Sequence, residues 1–448
     1  MSYRWVPYLY APLVQQVAKG TPLRIVQAYR VVVHEMLWQL GLTTLAAFGA
    51  WKWSSSQEQT ISYAGIAIPP QAVVIDPRAY NVLGEHGSFR QNSFTEFFNP
   101  TNTSPPFFQI FHPEFLRVLG DRPTIRTIAS RPGTIFAHEA PVWFPESDEV
   151  FFGSHCQGPE GWRDCRGNNF MSKISMREVK DAVRATGTNY AAPLNITVTQ
   201  LETPEVRQKT WGATGPYRSS LILINSGNVD HPSSLALMNP APPYNVTVLF
   251  DNYYGRQFNS LNDGKIHPKS HKIFVTDPTY GFLQHFREPP TLHNQVYRFD
   301  PDTGHVRVVS DELIRPNGLA FSADGNTAYV ADTGAAIGFH GRNQTLPATI
   351  YEFDVNPKTQ VFENKRVFAY IDAGVPDGIQ LDKFGNVYSS CGDGVHVWNH
   401  DGVLIGKFFV GQVSCNIVFA GDGNLIILSG DQVFLAEVAA GGIKLAYP

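Results

Sequence analysis

Glu139, Asn262, Asn317 and Asp377 each stand just before a short apolar run, in the phrases HEAPVW, SLNDGK, RPNGLAFS and VPDGIQLD. Two carboxylates and two amides form an oxygen-rich set. Hard cations such as Ca²⁺ take about six to eight oxygen ligands, with carboxylates and Asn carbonyls among them. Glu139 and Asp377 would balance a divalent charge, and the lack of His or Cys at these points argues against zinc. Taken singly, an Asn or Asp before a strand simply caps a turn by bonding its own backbone. The case for chemistry is that they recur at one point of a repeat, where Asn416 stands as a further copy.

The repeat is a polar residue, an apolar strand, a tight turn and a second apolar strand. It reads NDGKIHPKSHKIFVTD from Asn262, NGLAFSADGNTAYVAD from Asn317, DGIQLDKFGNVYSSC from Asp377 and CNIVFAGDGNLIILSG from Cys415, with a fainter EAPVWFPESDEVFFGS from Glu139. SLILINSGN near Leu221 fits the gap as one more copy. The turns SADGN, DKFGN and AGDGN carry Asp, Asn and Gly where a hairpin needs positive φ. A period of about 40 to 60 residues built from short strands predicts an all-β fold, a six-bladed β-propeller over residues 61–448. FQIFHPEFLRVLG, ahead of Glu139, is expected to supply the outer strand that closes the ring against the last blade. The innermost strand of each blade lines the central channel, so the repeated polar residues would ring one of its mouths. Side chains alternate along a strand, so His138 and Asp263, adjoining ring residues, are expected to aim away.

These phrases resemble the senescence-marker-protein/gluconolactonase family, and its fungal lactonohydrolase branch in particular. PYR, MNPAPPYNVTVLF, NYYGRQFNSLND, TDPTYGF and SCGDGVHVW recur there as well. The resemblance runs from about Phe107 to the C-terminus. It implies a six-bladed propeller with one catalytic divalent ion, most simply Ca²⁺, on Glu139, Asn317 and Asp377, with Asn262 as ligand or substrate contact. The implied reaction is hydrolysis of a lactone to a hydroxy acid, with the ion polarising the carbonyl and Asp377 as base. Ser260 stands where animal members carry an Arg that contacts sugar acids, which points away from a gluconolactone-type substrate. Ser260, Tyr280 and His155 are the candidate substrate contacts. The same propeller could instead serve a non-hydrolytic step of fungal natural-product biosynthesis, such as dehydration or a hetero-Diels–Alder cycloaddition, or act as a non-catalytic binding propeller.

Charged residues make up 17% of the chain and the net charge is −4, with no Lys/Arg cluster, so nucleic acid is not an expected partner; a small molecule is. Cys156 and Cys165 bracket a Gly-rich loop and can pair in an oxidising compartment. Residues 1–60 read as a separate extension. Its apolar stretch 37–50 follows Lys19, Arg24 and Arg30, as a signal peptide or membrane anchor would, or a buried or interfacial helix. Sequons at Asn102, Asn195, Asn245 and Asn343 agree with a secretory route, secreted or membrane-anchored.

Overall fold

The computed structural model describes residues 67–156, 165, 167–205 and 209–443. The extension expected over residues 1–60 lies outside them.

Among the described residues the strands form six radial sheets, each a blade, and one two-stranded ribbon, Asn252–Tyr253 with Arg256–Gln257. Blade one runs outward from Glu139–Phe144 through Glu149–Gly153 and Met171–Ser175 to Thr199–Gln200. Blade two starts at Thr210–Tyr217, blade three at Gly264–Ile266 and blade four at Pro316–Phe321. Blade five starts at Ile379–Leu381 and blade six at Asn416–Phe419. The hairpin turns read from sequence have the expected backbone: Gly325, Gly385 and Gly423 sit at φ 68°, 84° and 80°. Asp324 and Asp382 brace two of these turns by accepting the amides of Asn326 and Asn386, at 3.1 and 2.9 Å. Between the blades the apolar faces interlock. Phe274 of blade three, for example, packs on Phe321 and Phe362 of blade four, with centroids 4.9 and 5.7 Å apart.

Two expectations need correction. The strand that closes the ring on blade six is Thr124–Ser130, paired with Gln432–Gly441. Phe107–Ile110, at the start of FQIFHPEFLRVLG, instead extends blade five by pairing with Leu404–Phe409, and Phe115–Leu119 is a short helix. SLILINSGN is the second strand of blade two, Ser220–Asn225, and not an inner strand. The inner strand carries Trp211 where the other copies carry a polar residue, which hides it from a polar-residue repeat.

The inner strands share a distortion that matters for the site. Asn262 and Asp263 together oppose Thr276: Asn262 N donates to Thr276 O and Thr276 N to Asp263 O, both at 2.9 Å. Asp377 and Gly378 oppose Ser390 in the same way, at 2.8 and 3.0 Å. The ladder of blade four shifts between Pro316 and Leu319, and that of blade one between Glu139 and Val142, where Ala140 takes φ 58°. Each is a β-bulge, which adds a residue and re-aims side chains at the strand end.

Candidate active site at the channel mouth

The bulges bring residues of five blades together. Glu139, from blade one, is buried, and its Oε2 accepts Nδ2 of Asn416, from blade six, at 3.0 Å. Asn416 is fixed in turn because its Oδ1 accepts the Ile417 amide at 2.9 Å. Asn262 and Asn317 are buried as well, and the Asn317 side chain hydrogen-bonds Asp377. Asp377 is the least buried of the four residues singled out by sequence.

Asp263 belongs to the same group. It is buried, its Oδ1 accepts the Gly264 amide at 2.7 Å, and its charge acts on both Glu139 and Asp377. The expectation that it aims away fails because strand alternation does not hold across a bulge. His138 departs from expectation for a related reason: it precedes the left-handed Ala140, and its Nδ1 lies 3.5 Å from Glu139 Oε1.

Burial and like charge dominate the electrostatics. Loss of solvation pushes the Asp377 carboxyl up to about 8, the Asp263 charge adds to this, and the Asn317 hydrogen bond opposes it. Glu139 is raised well above the usual range by burial and by Asp377. Burial holds His138 and His155 below the ordinary histidine value. Asn262 Oδ1, Asp263 Oδ2 and Asp377 Oδ1 are buried without a hydrogen-bond partner. Unpartnered oxygens beside mutually repelling carboxylates fit a hard cation, which would satisfy the lone pairs and offset the repulsion.

An aromatic wall lies beside these groups. The His155 ring meets His138 at 4.8 Å and stacks on Trp211 at 6.2 Å. Trp211 touches Tyr280 and Phe286, with centroids 6.4 and 5.4 Å away. Tyr280 is positioned by a 2.5 Å hydrogen bond to Thr333 and by the Arg315 guanidinium 5.7 Å from its ring centroid, and the Asp377 charge reaches its hydroxyl. The Cys156–Cys165 disulfide packs against this wall. Cys391 and Cys415 are free and buried.

Ser260 does not meet the expectation of a substrate contact. It is fully buried, its hydroxyl donates to Pro278 O at 2.6 Å and accepts the Gly281 amide at 2.9 Å, and its own amide goes to Asp277 at 2.8 Å. It secures the turn that carries Tyr280. Trp211 breaks the polar pattern of the repeat with its aromatic ring, and no local sequence signal marks the pairing of Asn416 with Glu139.

A roughly 450 Å³ cavity occupies the other end of the channel, lined by Trp143, Lys265, Phe321, Gln380 and Phe419 among others. These residues lie toward the far ends of the inner strands, and the Lys265 charge opposes the upward push that burial gives the Asp263 carboxyl.

Residues 183–430 match the family model described as the SMP-30/Gluconolactonase/LRE-like region. The chain is 27% identical over 398 residues to the lactonohydrolase oryL of Aspergillus oryzae, covering 80% of this chain and 83% of that protein. It is 32% identical over 195 residues to a gluconolactonase of Zymomonas mobilis, covering 42% of this chain and 52% of that one. Among solved structures, a gluconolactonase from Xanthomonas campestris superposes with a TM-score of 0.55 at 23% identity, over 76% of this chain and 96% of its own. That likeness supports the propeller fold.

Proposed function

The chain belongs to the SMP-30/gluconolactonase/LRE-like family, and from that premise we propose that it opens a lactone to a hydroxy acid at this mouth, with a divalent cation, Ca²⁺, on Glu139, Asn262, Asn317 and Asp377. The observation that carries the reading is the set of buried, unpartnered oxygens on Asn262, Asp263 and Asp377, where burial and the Asp263 charge raise Asp377, and burial, Asp377 and Asp263 raise Glu139. When bound, the cation supplies Lewis-acid stabilisation of the charge that grows on the lactone carbonyl oxygen. Asp377 accepts a proton from water as that water adds to the carbonyl carbon, the ring C–O bond breaks, and the proton passes to the departing ring oxygen. The Asn262 amide orients the substrate. Tyr280, Trp211 and His155 pack against the ring and exclude bulk water, which strengthens the polar contacts inside. Asn416 holds Glu139 in place.

The test is chelation, followed by assay on aliphatic and aromatic lactones and restoration of Ca²⁺. Loss and recovery of activity is expected; activity unchanged by chelation would overturn the metal assignment. Asp377→Asn with near-full activity would overturn the base.

The aromatic wall also favours a second reading, a non-hydrolytic conversion of an apolar intermediate in fungal natural-product biosynthesis, since it limits water. Turnover in ¹⁸O-labelled water separates the two. Hydrolysis puts one labelled oxygen into the product carboxylate, and dehydration or cycloaddition puts in none. Asn102, Asn195, Asn245 and Asn343 are all exposed, which supports a glycosylated protein of the secretory pathway, secreted or membrane-anchored.

A further inference from the structure

Unsatisfied groups at this mouth sort by type. The floor holds acceptors without donors: Asn262 Oδ1, Asp263 Oδ2 and Asp377 Oδ1. The blade-two side holds donors without acceptors: Lys209 Nζ and Trp211 Nε1 are both buried and without a hydrogen-bond partner among the described residues. The two residues flank the same ring. The Lys209 ammonium lies 5.0 Å from the Phe286 centroid, and Trp211 lies 5.4 Å from it.

Lys209 is wholly buried, an uncommon state for an ammonium with no counter-ion among the described residues. Its backbone is fixed: its amide donates to Asn168 Oδ1 at 2.7 Å and its carbonyl accepts the Ser226 amide at 2.9 Å. Burial, followed by the nearby Arg287 charge, lowers its pKa to about 8. Arg287 is fully engaged by contrast: its guanidinium donates to Asn228 O, His231 O, Gln257 Oε1 and Phe258 O. One ammonium and one indole N–H, set among apolar rings, match a single carboxylate. A phosphate dianion would call for more charge than this wall offers.

We propose that Lys209 and Trp211 form a carboxylate subsite, so that the substrate is a lactone bearing a free acid group, held by that acid on the blade-two wall while its ester faces the carboxylate floor. The placing of the ester rests on the lactone-opening reading; the subsite itself does not. It also accounts for Trp211 at the place where other inner strands carry a floor residue: in blade two that position serves the wall.

The experiment compares benzoate with benzamide, a matched pair used as non-hydrolysable probes, by calorimetry on the Ca²⁺-loaded full-length protein. It then compares 5-oxotetrahydrofuran-2-carboxylic acid with its methyl ester as substrates. Wild type should bind benzoate at least tenfold more tightly than benzamide and show a correspondingly lower KM for the acid lactone. Lys209→Met should abolish both preferences, raising the KM of the acid lactone to that of its methyl ester. Lys209→Arg should restore part of the preference, and Trp211→Phe should weaken it severalfold. Benzoate can also reach the cation, so dependence on Lys209 is the criterion. Equal binding of both probes by wild type, or a preference that survives in Lys209→Met, overturns the subsite. If Lys209→Met does not fold, Lys209→Arg and Trp211→Phe decide: two unchanged preferences overturn it. Lys209-dependent benzoate binding with no turnover of any lactone keeps the subsite and removes the reaction.

Discussion

Asn416 Nδ2 and Glu139 Oε2 meet at 3.0 Å although 277 positions separate them in the chain. The bond joins blade six to blade one, beside the junction where the ring closes. It orients a carboxylate that burial and Asp377 both disfavour in its charged form. Asn416 is a positioning residue in this scheme, because it acts through Glu139.

Asn416→Ala should therefore lower Ca²⁺ affinity by about 10- to 100-fold, the usual cost of losing a partner that orients a ligand. Calorimetric titration measures it directly. Asn416→Asp should be worse than Ala, since it places another carboxylate against Glu139. Equal Ca²⁺ affinity in wild type and both variants would remove Glu139 from the metal site.

Much of this arrangement could be read before folding, and the exceptions have physical causes. The repeat was visible because hairpin turns need Asp, Asn and Gly, and because Asn262, Asn317 and Asp377 open their inner strands in the same phrase. Blade two departs from the polar-residue repeat because Trp211 replaces the polar opener and Gly215 and Pro216 interrupt the strand pattern. Thr124–Ser130 carries no mark that tells a closing strand from any other. Asp263 and His138 face the carboxylates because strand alternation does not hold across backbone that bulges or turns left-handed. The Lys209 pairing with Phe286 depends on two blades meeting, which no local pattern encodes.

The metal-free protein should weaken as pH rises. Asp377 is raised to about 8 from an unfolded value near 3.8, and Glu139 is raised too, so the folded state binds these protons more tightly. A raised pKa contributes stability that is complete below about pH 4 and is lost as pH climbs through 8. Ca²⁺ requires the ionised carboxylates, so binding should release protons and cancel the loss. The Tm gap between Ca²⁺-loaded and chelated protein should widen from pH 5 to pH 8.5. A gap independent of pH would show that these carboxylates do not bind the ion.

Gly318 tests how closely the inner strands must approach. A Cβ built there would lie 2.0 Å from the Asp377 carbonyl oxygen, which is backbone and cannot swing aside. Gly318→Ala must move blade five's inner strand away from blade four's. The expected cost is about 1 to 3 kcal/mol of stability, as for other overpacked sites, with a loss of Ca²⁺ affinity because Asp377 moves. Gly304→Ala is the control, since a Cβ there meets nothing within 4 Å, although its φ of 74° carries some strain. Urea unfolding and Ca²⁺ titration should show Gly304→Ala losing stability alone and Gly318→Ala losing both.

Lys407 governs a different buried network, on the outer side of blade five. Its ammonium bridges Asp372 Oδ1 at 2.8 Å and Asp393 Oδ2 at 3.0 Å, and His396 Nε2 lies 2.6 Å from Asp393 Oδ1. Arg90 reaches the other oxygen of Asp372 at 3.2 Å, so the network ties the segment ahead of the propeller to blade five. Despite burial, Lys407 and then His396 hold Asp393 well below the usual carboxylate range, and Lys407 is raised in turn, chiefly by Asp393. Lys407→Met would leave Asp393 buried without its main counter-ion, at an expected cost of about 3 to 5 kcal/mol at pH 7. Because the carboxylates' folded values are depressed, the stability they lend is present above about pH 4 and lost as pH falls further. The gap between wild type and Lys407→Met should therefore narrow on acidification, as Asp393 of the variant takes up a proton and sheds its uncompensated charge. Urea unfolding at pH 7 and pH 4 measures both gaps. A gap that stays constant would mean that Lys407 contributes through the packing of its aliphatic stem and not through its charge.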